Sequence, residues 1–328
     1  MTALVDKFKS SARSAVCTPC NRLLNYLDPP VLVLLYHRVT VLPTDPEMLA
    51  VTPANFRAQL RFLKDNFPIV RFEEDWTGVP KPAVAITFDD GYADNILEAL
   101  PILEEVGIPA TFFISTGTIG TSKNFWWHEL ERMILETEST PLSFTLEDDR
   151  CTQNWPTSSF KERQKFYQEI VQLMTDADTA YRDNWLAQLR RWSHVEDTIN
   201  SPHRAMTTEE LRQLSMSKWV TIGAHTVTHS RLSSLSPDMQ REEIVGSKNQ
   251  LEAWLGQKVT TFSYPFGKRC HYTNTTVALC REAGFTKVAA NFPGQVHRWT
   301  DPCQIPRQLV RNWPEEIFSE KLRGFWTR

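Results

Sequence analysis

Residues 83–92 read AVAITFDDGY: an unbroken run from Ala83 to Phe88, then two aspartates, a glycine and a tyrosine. A short apolar run with no polar alternation, closed by a turn signal, is the pattern of a strand buried on both faces, as in a parallel sheet covered by helices. Two neighbouring runs repeat it. Val31–Tyr36 (VLVLLY) ends in His37, and 110–115 (ATFFIS) leads into Thr116 and Gly117. Helical signals separate the runs. Thr52-Pro53 supplies an N-cap and an N1 proline, and Phe56, Leu60, Leu63 and Phe67 make one helical face. Residues 95–106 read as the next helix, closed by Gly107.

From about 124 to 206 the rhythm changes. Helices are expected at 126–138, 161–174 and 183–192, with a polar loop near 140–158, and the stretch reads as a helical insertion. Alternation resumes at Thr207, which has capping-box spacing to Glu210. Strands are expected at 219–224, 259–264, 285–290 and 304–310. Helices follow Ser236-Pro237, occupy 274–283 and start at Pro314. Seven strands alternating with helices predict an α/β fold. Its parallel sheet has right-handed crossovers and is either open or closed as a barrel.

The remaining composition narrows the class. At about 150 residues per domain, 328 residues make two domains or one large barrel. A 41% hydrophobic content supports a sizeable core, and a net charge of −3 disfavours a nucleic-acid binder. No stretch approaches the roughly 18 apolar residues of a membrane span. Six cysteines are too few for a disulfide scaffold, and the lone Cys17/Cys20 pair reads as reduced thiols. Residues 1–28 lack a secretory apolar core, so a cytoplasmic location is expected. Leu4, Val5, Phe8, Ala12, Ala15 and Val16 recur at helical spacing among Lys7, Lys9, Arg13 and Arg22. This N-terminal amphipathic segment is read first as a helix docked on the domain. Peripheral membrane contact is the alternative. Residues 29–328 form the second unit, the barrel with its insertion.

In parallel α/β folds chemistry gathers at the C-terminal ends of strands. There the sequence places His37, the Asp89/Asp90 pair, and His225 and His229 after the fourth predicted strand. Pro265, Phe266 and Gly267 follow the fifth, and Arg307 lies in the last. Adjacent carboxylates in a partly buried site repel unless a cation neutralises them. Two imidazoles at i and i+4 can converge on one cation, and with an aspartate they leave an open position for water, the pattern of a catalytic metal. Taken alone, Asp-Asp-Gly is also a turn sequence and His-x-x-x-His a weak signal. The other histidines, His128, His194, His203, His271 and His297, read as surface or structural.

On these residues the chain resembles the polysaccharide deacetylases of carbohydrate esterase family 4. The family's first motif appears as Thr87-Phe88-Asp89-Asp90-Gly91-Tyr92, its second as His225-Thr226-Val227-Thr228-His229, and its third as Phe262-Ser263-Tyr264-Pro265-Phe266-Gly267. Residues 107–115 match as well, and the resemblance spans about 31–123 and 206–312. It implies a distorted (β/α)7 barrel. It implies Asp89 as general base, and Asp90, His225 and His229 as ligands of a divalent metal. Zn²⁺ comes first, with Co²⁺ or Ni²⁺ also suited to the donors. The usual C-terminal Leu-x-His is missing. Leu35-Tyr36-His37 stands at the N-terminus instead, as in a subgroup resembling the poly-N-acetylglucosamine deacetylases, which makes His37 the general acid. The third motif usually carries an arginine where this chain has Ser263, and Arg307 is the expected replacement.

The resemblance further implies an N-acetylated sugar (glycan, lipid-linked or nucleotide-linked) hydrolysed to amine and acetate. Tyr92, Tyr264, Pro265, Phe266 and Trp127, with Trp126, would touch substrate, and a backbone N–H near Tyr264 would face the oxyanion. A deformylase or amidase acting on another small amide is the nearest alternative, and a non-catalytic carbohydrate-binding barrel a distant one.

Overall fold

The computed structural model describes residues 25–79, 82–137, 140–149, 152–195 and 202–327. Most of the segment expected to be amphipathic, up to residue 24, lies outside them. No described helix is long and apolar enough to cross a membrane. The first half runs β1 (Val31–Tyr36), β2 (Arg38–Val39), β3 (Ala50–Val51), α1 (Pro53–Asn66), β4 (Ala83–Phe88), α2 (Leu100–Val106) and β5 (Ala110–Ile114). Between β5 and the next sheet strand come α3 (Trp126–Glu131), β6 (Ser143–Glu147), β7 (Thr152–Pro156), α4 (Phe160–Asp176), α5 (Thr179–Ser193) and α6 (Thr208–Ser215). The chain continues through β8 (Val220–Ala224), α7 (Pro237–Leu255), β9 (Thr261–Ser263), α8 (Asn274–Glu282), β10 (Lys287–Ala289), β11 (Gln308–Leu309) and α9 (Glu315–Thr327).

Seven strands form one parallel sheet in the order β10-β9-β8-β5-β4-β1-β11. Its two ends meet through one segment. Ile305 bridges to Ala289 of β10, and three residues later Gln308 pairs with Leu34 of β1. The strand expected over 304–310 is thus short because it changes partners midway.

Period-two alternation sorts the strand residues onto two faces. Leu32, Leu34, Val84, Ile86, Phe88 and Phe112 pack outward into the large core with the helices. Val31, Val33, Ala83, Ala85, Phe113, Ala289 and Ile305 form a separate small cluster. β1 and β10 lie far apart in strand order, so they share that cluster only because the sheet curls and this is its concave face. The interior is narrow. A Cβ on Gly223 would lie 2.5 Å from the Phe113 ring, so β8 carries glycine where β5 carries phenylalanine.

Expected caps are present at Thr52, at Thr207 with Glu210, and at Ser236, and Gly107 and Gly256 end their helices at φ +76° and +67°. The helix expected over 95–106 is present, with its first turn π-helical at Asn95–Ala99, and α3 likewise passes into a π-helical turn at Arg132–Glu136. The polar loop expected near 140–158 is an antiparallel hairpin, β6 with β7, whose Phe144, Leu146 and Trp155 pack inward. Its strands follow alternation between apolar and polar residues, a period the helical reading of that region passed over.

A candidate metal centre at the mouth of the barrel

The odd-numbered face of β4 continues past the strand end, so Thr87 and Asp89 both turn toward the barrel interior. Arg307 meets them there. Its Nη1 donates to Asp89 Oδ1 at 2.7 Å and Nη2 to Asp89 Oδ2 at 2.6 Å. Nη2 also donates to Ser263 Oγ (2.8 Å), Nε to the Ala290 carbonyl (2.8 Å) and Nη1 to Thr87 Oγ1 (3.2 Å). Burial alone would raise the Asp89 carboxyl; the guanidinium and His225 outweigh it and hold the group below the usual carboxylate range. Arg307 therefore occupies the space beside Ser263 that a longer side chain at 263 would take.

Asp90 sits at φ +79°, a left-handed conformation that turns the chain directly after Asp89, and both carboxylates approach His225 Nε2, Asp89 Oδ2 at 3.8 Å. Asp90 Oδ1 lies 3.5 Å from His225 Nε2 and 3.4 Å from His229 Nε2. The two histidines come from a loop rather than a helix, with Thr226 and His229 at φ +66° and +51°. Glu243 of α7 holds that loop, accepting the Val227 and Thr228 N–H groups at 2.8 and 2.9 Å. One donor atom from each of Asp90, His225 and His229 lies within 4.8 Å of the others. Asp90 Oδ1 is buried with no hydrogen-bond partner. His225 Nδ1 lies 2.7 Å from the Ser263 carbonyl, an obligate acceptor, so Nδ1 carries a proton and the ring is turned with Nε2 toward Asp90. One carboxylate and two imidazoles, one with its ring oriented from behind, suit a borderline cation such as zinc.

These groups open into a cleft of about 320 Å³ also lined by His37, Trp126, Trp127, Phe266, Lys268, His271, Asn291 and Arg311. His37 is held through its backbone: Asn95 Nδ2 donates to its carbonyl at 2.9 Å. Its Nδ1 is buried and unpartnered, and burial lowers its proton affinity against the pull of Asp90 and Asp89. Trp127 and Phe266 flank His229, each with ring centroids 4.7 Å away.

The structure brings together Asp89, Asp90, His37, His225, His229 and Arg307, and puts Trp127 and Phe266 on the cleft wall. It does not bring the two tyrosines there. Tyr92 is fully buried, its hydroxyl bonded to Trp127 and His128. Tyr264 is buried, bonded to the Cys303 carbonyl and stacked on Tyr272 at 4.1 Å. Neither they nor Pro265 lines the cleft. The Tyr264 N–H donates to the Ala289 carbonyl, so it does not face an oxyanion. His271, expected to be surface or structural, is a cleft residue. Sequence reasoning missed Asn95, Glu243 and Arg38, which act on backbone or on side chains distant in sequence. Only the position of Arg38 directly after His37 hinted at its place.

The polysaccharide deacetylase family model matches residues 77–172 and 189–288. The chain belongs to this family. The matched stretches contain Asp89, Asp90, His225 and His229 but neither His37 nor Arg307. YxkH of Bacillus subtilis (strain 168), named for the same family, is 22% identical over 273 residues, which are 81% of this chain and 66% of that protein. The chain thus spans just under two thirds of that relative. Among solved structures, IcaB from Ammonifex degensii aligns with a TM-score of 0.57 at 19% identity, over 92% of this chain and 98% of that one. The Streptococcus pyogenes deacetylase PplD, solved in complex with acetate, aligns at 0.56 and 18% identity, over 89% and 98%. These likenesses show the same curled-barrel fold.

Proposed function

We propose that this member of the family is a metal-dependent N-deacetylase that hydrolyses the acetamide of an N-acetylated sugar to an amine and acetate. One observation carries the reading: five groups from distant parts of the chain, Asp89, Asp90, His37, His225 and His229, line one cleft, and donor atoms of three of them, Asp90, His225 and His229, lie within 4.8 Å of one another. Family membership and the likeness to PplD and IcaB support it.

Asp90, His225 and His229 would hold the divalent ion, with Zn²⁺ first and Co²⁺ or Ni²⁺ suited to the same donors. When bound, such an ion acidifies a water and polarises a carbonyl oxygen. Asp89 stays ionised beside Arg307 and has no bond to the donor trio's carboxylate, so it is free to take the proton of the attacking water. His37, which lines the same cleft, delivers a proton to the amide nitrogen as the C–N bond breaks, because an amine leaves poorly without one. Trp127 and Phe266 offer apolar faces to the sugar and its acetyl group.

The test is acetate release from a panel of N-acetylated sugars, oligosaccharides and nucleotide- or lipid-linked sugars, with and without a chelator. Release that the chelator stops and Zn²⁺ restores is the expected result. Release of formate alone, or activity indifferent to chelation, would replace the reading with an amidase of another kind. No release from any substrate leaves a carbohydrate-binding barrel.

A further inference from the structure

The two imidazoles of the donor trio are held in different ways. His225 is oriented from behind by the Ser263 carbonyl, whereas His229 Nδ1 is buried with no hydrogen-bond partner. Metal-binding histidines nearly always use their second nitrogen to fix the ring. His229 instead has the rings of Trp127 and Phe266 against it, inclined at 57° and 69°. Of these two rings, Trp127 is the one whose own position is set by side-chain hydrogen bonds.

Trp127 is fixed by a chain of hydrogen bonds whose direction follows from its donors. The indole Nε1–H can only donate, and it lies 2.8 Å from the Tyr92 hydroxyl oxygen. Tyr92 then gives its own proton to His128 Nε2, 2.8 Å away. Burial and the nearby Arg38 keep His128 neutral, so its single N–H is on Nδ1, 3.1 Å from Glu131 Oε2. Glu131 Oε1 accepts from Thr44 Oγ1 at 2.8 Å. Arg38 braces the middle. Its guanidinium lies 4.4 Å over the Tyr92 ring and is paired with Asp94 at 2.8 Å.

His128, Glu131 and His203 also lie close enough to suggest a second metal cluster. The same donor accounting argues against it. His128 Nε2 accepts from Tyr92, and His203 Nδ1 lies 2.6 Å from Arg38 Nη1, which can only donate. Each neutral imidazole has its one lone pair in use.

We propose that the Tyr92–His128–Glu131 chain positions Trp127, and through its ring His229, for metal binding; this rests on reading Asp90, His225 and His229 as the ligands. Tyr92, His128 and Glu131 are positioning residues on this account.

The experiment measures Zn²⁺ affinity of the purified full chain by competition with a chromophoric chelator, with thermal melting of each variant as the control for folding. Tyr92→Phe removes one hydroxyl and keeps the ring under Arg38. Trp127→Phe keeps an aromatic ring beside His229 and loses the N–H. Each is expected to weaken Zn²⁺ binding about 10-fold. His128→Leu should do the same. His128→Gln should restore affinity to within about twofold, because its amide can accept from Tyr92 and donate to Glu131. Folded variants of all three positions that bind Zn²⁺ as tightly as wild type overturn the proposal. So does a second equivalent of Zn²⁺ that disappears with His128→Gln. A wild type that binds no Zn²⁺, or His225→Ala binding it normally, overturns the ligand assignment itself and this proposal with it.

Discussion

Arg307 and Asp89, 218 residues apart in the chain, form a two-pronged ion pair at the mouth of the barrel. The guanidinium is also tied to Thr87, Ser263 and the Ala290 carbonyl, so it fixes the plane of the carboxylate as well as its charge. A lysine cannot reproduce the fork. Arg307→Lys is expected to lower turnover on the order of 10²-fold while Zn²⁺ binding persists. Arg307→Met leaves a buried carboxylate unpaired and should cost about 3–5 kcal/mol of stability. Turnover of Arg307→Lys at the wild-type rate would show that Asp89 needs no such clamp.

Asp89 and Asp90 are neighbours with different assignments, and matched substitutions separate them. Asp89→Asn should keep Zn²⁺ and lose about 10²–10⁴-fold in kcat, the span of a general base. Asp90→Asn should lose Zn²⁺ and activity together. Metal content by atomic absorption, measured beside acetate release, checks both. Equal metal loss in the two variants would merge the roles.

His128 and His203 give the fold a pH dependence of known sign. Burial pushes each down to about 3, helped at His128 by Arg38 and at His203 by His128 and Arg38. Folded-state values below the unfolded imidazole value mean that the unfolded chain binds more protons in between. Their contribution is complete above about pH 6.5 and is lost as pH falls toward 3. Melting temperature should decline below pH 6.5, and less steeply in His128→Gln, where one such group is gone. Parallel wild-type and variant profiles would rule out this source.

Gly267 closes the third motif at φ +63°, and a Cβ there would lie 2.5 Å from the Asn291 backbone nitrogen. Backbone cannot yield as a flexible side chain can. Gly267→Ala is expected to cost about 1–3 kcal/mol and to shift Phe266 and Asn291, both cleft residues. Chemical denaturation gives the stability loss. A raised KM for the best substrate would report the disturbed wall. A variant of unchanged stability would mean the turn relaxes without strain.

Strands and site residues differ in how far they can be read ahead of the fold. The runs at Val31–Tyr36 and Ala83–Phe88 become strands with the expected bounds, because a strand buried on both faces has no polar alternation to blur its ends. The hairpin at 143–156 was legible in its alternation but lay among helices that suggested a loop. Tyr92 and Trp127 show the limit at the site. Both are buried aromatics expected to touch substrate, yet only Trp127 lines the cleft. Which way a ring points depends on what packs against it.

Period, caps and turn signals are local, and they settled the alternation of strands and helices and placed Asp89, Asp90, His225 and His229 at strand ends. Closure of the sheet through 305–309, the pairing of Arg307 with Asp89, and the convergence of His37 on the same cleft depend on contacts between residues that are not neighbours in the chain. Such contacts exist only once packing has curled the sheet, because a side chain's partner is set by the geometry of the whole barrel rather than by its neighbours in sequence.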